Sequence, residues 1–186
     1  MAKRDWVWDG GRASVDLVNT VRDRKISPRE LLDTEAALAE WLRLAKLADV
    51  TAAEARPYLD AAHELREAVD RVTRGELTQA DITLLNGWAA RHHQPPPQLR
   101  LTPEGTPEAH IPKPEDPVAS ALGAVAVDAI TLLLEDRPPT IRVCALDTCG
   151  LRFVDRSPAR NRQWCSMARC GNRAKARQHY ARHKTT

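Results

Sequence analysis

The sequence predicts a mainly α fold with minor β. A helical N-terminal domain carrying a short β-hairpin precedes a small treble-like module, in which a β-hairpin is followed by a helix. Three observations predict this. Helix-start signals recur ahead of apolar residues at i, i+3, i+4 and i+7 spacing over the first three quarters of the chain. Residues 92–117 hold eight of the thirteen prolines and two short alternating segments. All four cysteines lie near the end, as Cys144-x4-Cys149, fifteen residues, then Cys165-x4-Cys170.

The elements follow in order. Trp6-Val7-Trp8 alternates with charge and predicts a short strand, closed by Gly10-Gly11. Val15, Leu17, Val18 and Val21 predict a helix over residues 13–24. Ser27-Pro28-x-Glu30 reads as N-cap, N1 proline and N3 glutamate of a second helix, with Leu31, Leu38, Trp41, Leu42 and Ala45 inward and a break near Asp33-Thr34. Thr51-x-x-Glu54 is a capping box. The helix behind it buries Ala55, Tyr58, Leu59, Ala62, Leu65, Val69 and Val72, tolerates Pro57 in its first two turns and stops at Gly75.

Thr78 with Asp81 caps the next helix, and Leu77 is placed to staple onto Ile82. Leu99-Arg100-Leu101 and Ala109-His110-Ile111 flank a Pro/Gly turn and predict an edge hairpin. Asp116-Pro117 opens a long helix with Val118, Leu122, Val125, Ala129 and Leu132 inward, and Arg137-Pro138-Pro139-Thr140 reads as a linker. The expected division is 1–136 for the helical domain, 137–140 for the linker and 141–186 for the cysteine module.

Composition narrows the function. No stretch approaches 18 consecutive apolar residues, and residues 1–11 lack the apolar run of a signal peptide, so a cytoplasmic protein without membrane association is expected. There is no Gly-rich phosphate loop, no Ser/His/Asp pattern and no H-E-x-x-H; an enzyme would need an unrecognised site in the N-terminal domain. In a reducing compartment, two cysteine pairs favour metal over disulfides or idle thiols. The simplest set is Cys144, Cys149, Cys165 and Cys170 around one structural Zn2+, a closed shell with no open position. His179-x3-His183 has the spacing of a finger's histidine half but would leave the first cysteine pair unexplained.

Charge is segregated. Residues 141–186 carry 11 Lys and Arg against Asp147 and Asp155, net +9, whereas residues 1–140 carry 17 against 23, net −6. The last helix is polar nearly all round, so an anionic partner gives it a reason to form. Arg162, Arg169, Arg173, Lys175, Arg177, Tyr180 and Lys184 are the candidate nucleic-acid contacts. Asn19, Arg22, Arg66 and Asn86, polar groups beside apolar helix faces, are candidates for a ligand pocket, against the structural alternative that they cap or bridge helices.

The run Arg162-Gln-Trp-Cys-Ser-Met-Ala-Arg-Cys170-Gly171-Asn172-Arg173 strongly resembles the CGNR zinc finger, and the upstream cysteine pair fits it. Gly10-Gly11-Arg12 with Val15-Asp16-Leu17-Val18-Asn19-Thr20-Val21 resembles the opening of the ABATE domain, which that family places before the finger. Leu151 departs from the bulkier aromatic of many relatives, which affects hairpin packing and not ligation. The resemblance implies a bacterial-type, stress-responsive transcription regulator. Expected partners are duplex DNA, a second copy in a homodimer and a small-molecule effector; an RNA-binding or ribosome-associated protein is the neighbouring reading.

Overall fold

A computed structural model describes residues 4–135 and 140–183. In chain order these form α1 (Ala13–Val18), β1 (Val21–Arg22), β2 (Arg29–Glu30), α2 (Glu35–Leu44), α3 (Ala52–Ala55), a 3-10 turn (Arg56–Tyr58), α4 (Leu59–Thr73) and α5 (Gln79–Ala89). There follow β3 (Gln98–Leu101), β4 (Pro107–His110), α6 (Pro117–Leu133), β5 (Thr140–Val143), β6 (Arg152–Asp155), a π turn (Met167–Gly171) and α7 (Asn172–His183). The strands pair as three separate antiparallel hairpins, β1–β2, β3–β4 and β5–β6. The fold is mainly α with minor β, as the sequence predicts. Among the described residues no helix is long and apolar enough to cross a membrane.

The main core lies between α1, α2, α4, α5 and α6, around Leu17, Leu38, Trp41, Leu65, Val69, Leu85 and Leu122. Helix α6 is buried over most of its circumference, which its Ala- and Val-rich sequence allows. Gly123 is where it meets the end of α5: a Cβ there would lie 2.6 Å from the His92 amide nitrogen. The helix starts are set by local chemistry. Thr51 with Glu54 and Thr78 with Asp81 each form both halves of a capping box, and Asp116 accepts from the Ala119 amide with Pro117 at N1.

Four elements differ from expectation. The segment at Trp6-Val7-Trp8 is not a strand, because its side chains serve different places: Trp6 packs on the helical core, Val7 among the cysteines, and Trp8 over Trp41 at 6.0 Å. The first helix ends at Val18 rather than 24, since Asn19 turns out to another strand and Val21–Arg22 pairs with Arg29–Glu30. Ser27-Pro28-x-Glu30 therefore lies in a turn and in β2. Glu30 instead accepts from the Leu32 amide and pairs with Arg66 at 2.7 Å, and Thr34 caps α2 by accepting from Ala37. Pro57 sits in the 3-10 turn that separates α3 from α4. Leu77 and Ile82, the pair placed for a staple, both remain exposed.

The C-terminal module packs on the helices. The Asn19 carboxamide grips the β6 backbone from both sides, accepting from the Arg152 amide and donating to its carbonyl, each at 2.8 Å. The Val154 amide donates to the Gly10 carbonyl at 2.9 Å. Val15, Leu132 and Val154 form a small apolar cluster beneath these bonds, with Ile141 packed on it. Gly10 is required at this crossing, because a Cβ would stand 2.6 Å from Asp16 Oδ1 and 3.0 Å from the Asp16 amide nitrogen. Of the linker residues expected at 137–140, Thr140 opens β5 and the others lie outside the described residues.

Candidate metal centre

Hairpin β5–β6 continues past Val143 through the bond from the Cys144 amide to the Leu151 carbonyl at 2.9 Å. The tight turn between them folds back as the Cys149 amide donates to the Leu146 carbonyl. This knuckle presents Cys144 and Cys149 together. Its outer face is tied to the second half of the module by the Ala145 amide, which donates to the Gln163 carbonyl at 2.8 Å. Cys165 precedes the π turn, and Cys170 lies inside it, where the Cys170 and Gly171 amides both donate to the Ser166 carbonyl. The Ser166 hydroxyl makes no cap bond, so the turn is closed by backbone alone.

The four sulfurs lie within 4.8 Å of one another, all in buried residues. Cys149 and Cys165 Sγ are 3.9 Å apart, and Cys165 and Cys170 Sγ are 3.5 Å apart. Tetrahedral zinc with Zn–S bonds of about 2.3 Å sets its sulfurs about 3.8 Å apart, so the donor set fits that ion. Hydrogen bonds from Cys149 and Cys165, with the Cys165 and Leu146 amides, pull Cys144 far below an ordinary thiol. The neighbouring thiols Cys144 and Cys149 drive Cys165 far up, and burial pushes Cys170 up to about 12. Such a cluster accommodates one negative charge readily and further ones only with a cation among them.

Packing encloses the centre. Val7, Leu146, Leu151, Phe153 and Ala174 surround the sulfurs, with Trp164 half-buried against them. Gly171 leaves room for Met167 and Trp164; a Cβ would meet Met167 Sδ at 2.5 Å and Trp164 Cδ1 at 3.1 Å. Lys25 donates through Nζ to the Cys144 carbonyl at 2.7 Å and the Leu146 carbonyl at 3.3 Å, fastening the knuckle to the helical part. Asp155, fully buried, organises the loop at 156–162 by accepting from the Ser157 amide and hydroxyl and the Arg162 amide, with Arg142 at 3.1 Å. The Ser157 hydroxyl and the amides hold its carboxyl below the usual range.

The candidate contacts divide into two sets. Arg173, Lys175, Arg177 and Tyr180 are exposed on α7, and no carboxylate within ion-pair distance of the three cations is found among the described residues. Arg169 and Arg162 are instead engaged by groups of the chain itself, Arg169 half-buried and Arg162 exposed. Arg169 lies 3.6 Å from both Asp5 and Asp9, and Arg162 donates to the Trp164 and Cys165 carbonyls while its guanidinium lies 4.7 Å over the Phe153 ring. Lys184 lies outside the described residues.

The four pocket candidates occupy separate places. Asn19 holds β6, Arg22 donates to the Asp5 carbonyl and carboxylate, Arg66 bridges Glu30, Thr20 and Glu67, and Asn86 is exposed on α5. Of these, Arg22 borders a 280 Å3 cavity beside Cys149 and Cys170. Sequence reading did not find Lys25, Asp155 or Val7. Asp155-x-Ser157 carries an Asx-turn signal that locates the loop organiser. Lys25, 119 residues from the carbonyl it binds, carries no local signal.

Two family models match the chain in succession. One, ABATE, described as "Putative stress-induced transcription regulator", matches residues 11–136, and the CGNR zinc finger matches residues 140–183. A comparison with curated proteins found no match. The ABATE match covers well over half the chain, and the clustered cysteines fall inside the second. The chain belongs to the ABATE family, with a CGNR zinc finger after that domain whose four clustered cysteines fit one structural Zn2+.

Proposed function

We propose that the protein is a DNA-binding transcription regulator in which Cys144, Cys149, Cys165 and Cys170 ligate the zinc and α7 meets the phosphate backbone. In this reading residues 1–136 form a sensor and dimerisation domain, 137–140 a linker and 141–186 the reader. The observation that carries it is the exposed cationic row on α7, anchored at its first turn to a buried four-thiol centre. Zinc binding supplies the fold energy that a module with so small an apolar cluster lacks. Four thiolates and Zn2+ leave −2 at the centre, so residues 141–186 remain near +7. The closed thiolate shell leaves no position for substrate, which favours a structural role for the metal.

The test is anisotropy titration of the zinc-loaded full chain onto a labelled duplex DNA and a structured RNA of equal length, over a salt series. The proposal expects duplex binding that weakens as salt rises and is lost on chelation of the metal. Tighter binding to the RNA at every salt concentration would move the assignment to an RNA-binding protein. Binding to neither would remove the basic helix from recognition altogether.

A further inference from the structure

Helix α2 ends on a residue that the local backbone does not suit. The Lys46 amide donates to the Arg43 carbonyl at 3.1 Å and the Leu47 amide to the Leu42 carbonyl at 3.0 Å, the two bonds of a Schellman motif. The left-handed position of that motif is ordinarily glycine, and here it is Lys46 at φ +59°. Backbone amides already satisfy both carbonyls, so the ammonium is not needed as a cap. Lys46 is exposed, and among the described residues no carboxylate or carbonyl engages its Nζ. A side chain kept in an unfavourable backbone conformation and left without a partner points to a function.

Lys46 borders a cavity of about 260 Å3 formed by the end of α2, residues 92–94 after α5, residues 111–114 after β4, and α6. Its wall is preformed. The Ser120 hydroxyl accepts from the His93 amide at 3.2 Å and donates to the His93 carbonyl at 2.7 Å, and Gly123 lets the His92 backbone lie against α6. Among the described residues the lining holds no acid. Lys46 is its one fixed charge, His93 and Gln94 add polar edges, and Leu47, Ile111 and Ala124 supply apolar surface. We propose that this cavity binds a small organic carboxylate, with the anionic end at Lys46 and the apolar body on Leu47, Ile111 and Ala124. Apolar walls with a few placed polar groups suit such a ligand, and a lining without acids does not suit a cation. The cavity continues past His93, Pro114 and Ser120 into a second of about 340 Å3, lined also by Arg91, Glu115 and Asp116. There two acids outnumber the cation, which sets the carboxylate at the Lys46 end. The inference rests on the sensor role proposed for residues 1–136 and gives it a ligand class.

The test is calorimetric titration of the zinc-loaded full chain, without nucleic acid, with octanoate and benzoate. Acetate and octanamide serve as probes that lack the apolar body or the charge. At least one of the two acids is expected to bind saturably below about 1 mM and to raise the melting temperature, with acetate and octanamide about ten-fold weaker or more. Lys46→Gly removes the charge and suits the backbone. It is expected to melt no lower than wild type without ligand, while binding the acid about ten-fold more weakly. Ala124→Leu fills the cavity and is expected to abolish binding with Lys46 in place. Neither acid binding up to about 10 mM, octanamide binding as well as octanoate, or binding that survives either substitution would overturn the proposal. Because DNA is absent from the titration, such a failure leaves the duplex-binding test of α7 unaffected.

Discussion

Asn19 does at one residue what a neighbouring strand would do, meeting both the amide and the carbonyl of Arg152 with a single carboxamide. Removing it leaves two backbone groups without partners at the contact between α1 and β6. Asn19→Ala is therefore expected to cost about 1–3 kcal/mol in chemical denaturation, far more than an exposed helix substitution. Asp16 lies one turn earlier. Burial pushes its carboxyl up to about 7, with Asp9 and Asp128 adding to the shift, although the Gly10 amide it accepts from pulls the other way. A folded value above the unfolded 3.8 means that its stabilising contribution is complete below about pH 4 and is lost as pH rises through 7. Asp16→Asn keeps an acceptor for Gly10 and removes the titration. The stability of wild type relative to this variant should fall between about pH 4 and pH 7, with any acid loss of zinc common to both. A constant difference over that interval would contradict the assignment.

At the scale of elements, competition between two capping signals decides where α2 begins. Ser27-Pro28-x-Glu30 has the right residues, but Glu30 is held by Arg66 and by the Leu32 amide, so Thr34 caps the helix instead. Thr34→Ala should cost about 1 kcal/mol, and Ser27→Ala should be neutral within about 0.5 kcal/mol. Equal effects in a thermal melt would mean that the helix start is misassigned. The same comparison explains what was legible in the sequence. The two complete capping boxes, the β3–β4 hairpin and α6 follow from residues within a few positions of one another, and the structure has them. Ser27, Trp6-Val7-Trp8 and the end of α1 depend on partners such as Arg66, Trp41 and Arg152, which local periodicity does not contain.

For the whole molecule, the cysteine frame alone locates the metal centre, because two pairs at a fixed spacing specify two knuckles. What the frame does not contain is how the module meets the helices: Lys25 on the knuckle carbonyls, Gly10 under Val154 and Asp70 beside Arg152 at 3.1 Å. Two acids of the N-terminal segment also reach the basic module, where Asp5 and Asp9 engage Arg169, while the α7 row faces outward. This division gives the most direct test of the account. The slope of log affinity against log salt for duplex DNA should be measured for wild type, Arg169→Ala and the pair Arg173→Ala with Arg177→Ala. If Arg173 and Arg177 each neutralise one phosphate, the pair should lower the slope by about 1.8, and Arg169→Ala should leave it nearly unchanged. A slope that the pair does not alter would contradict the claim that α7 reads DNA through its exposed arginines.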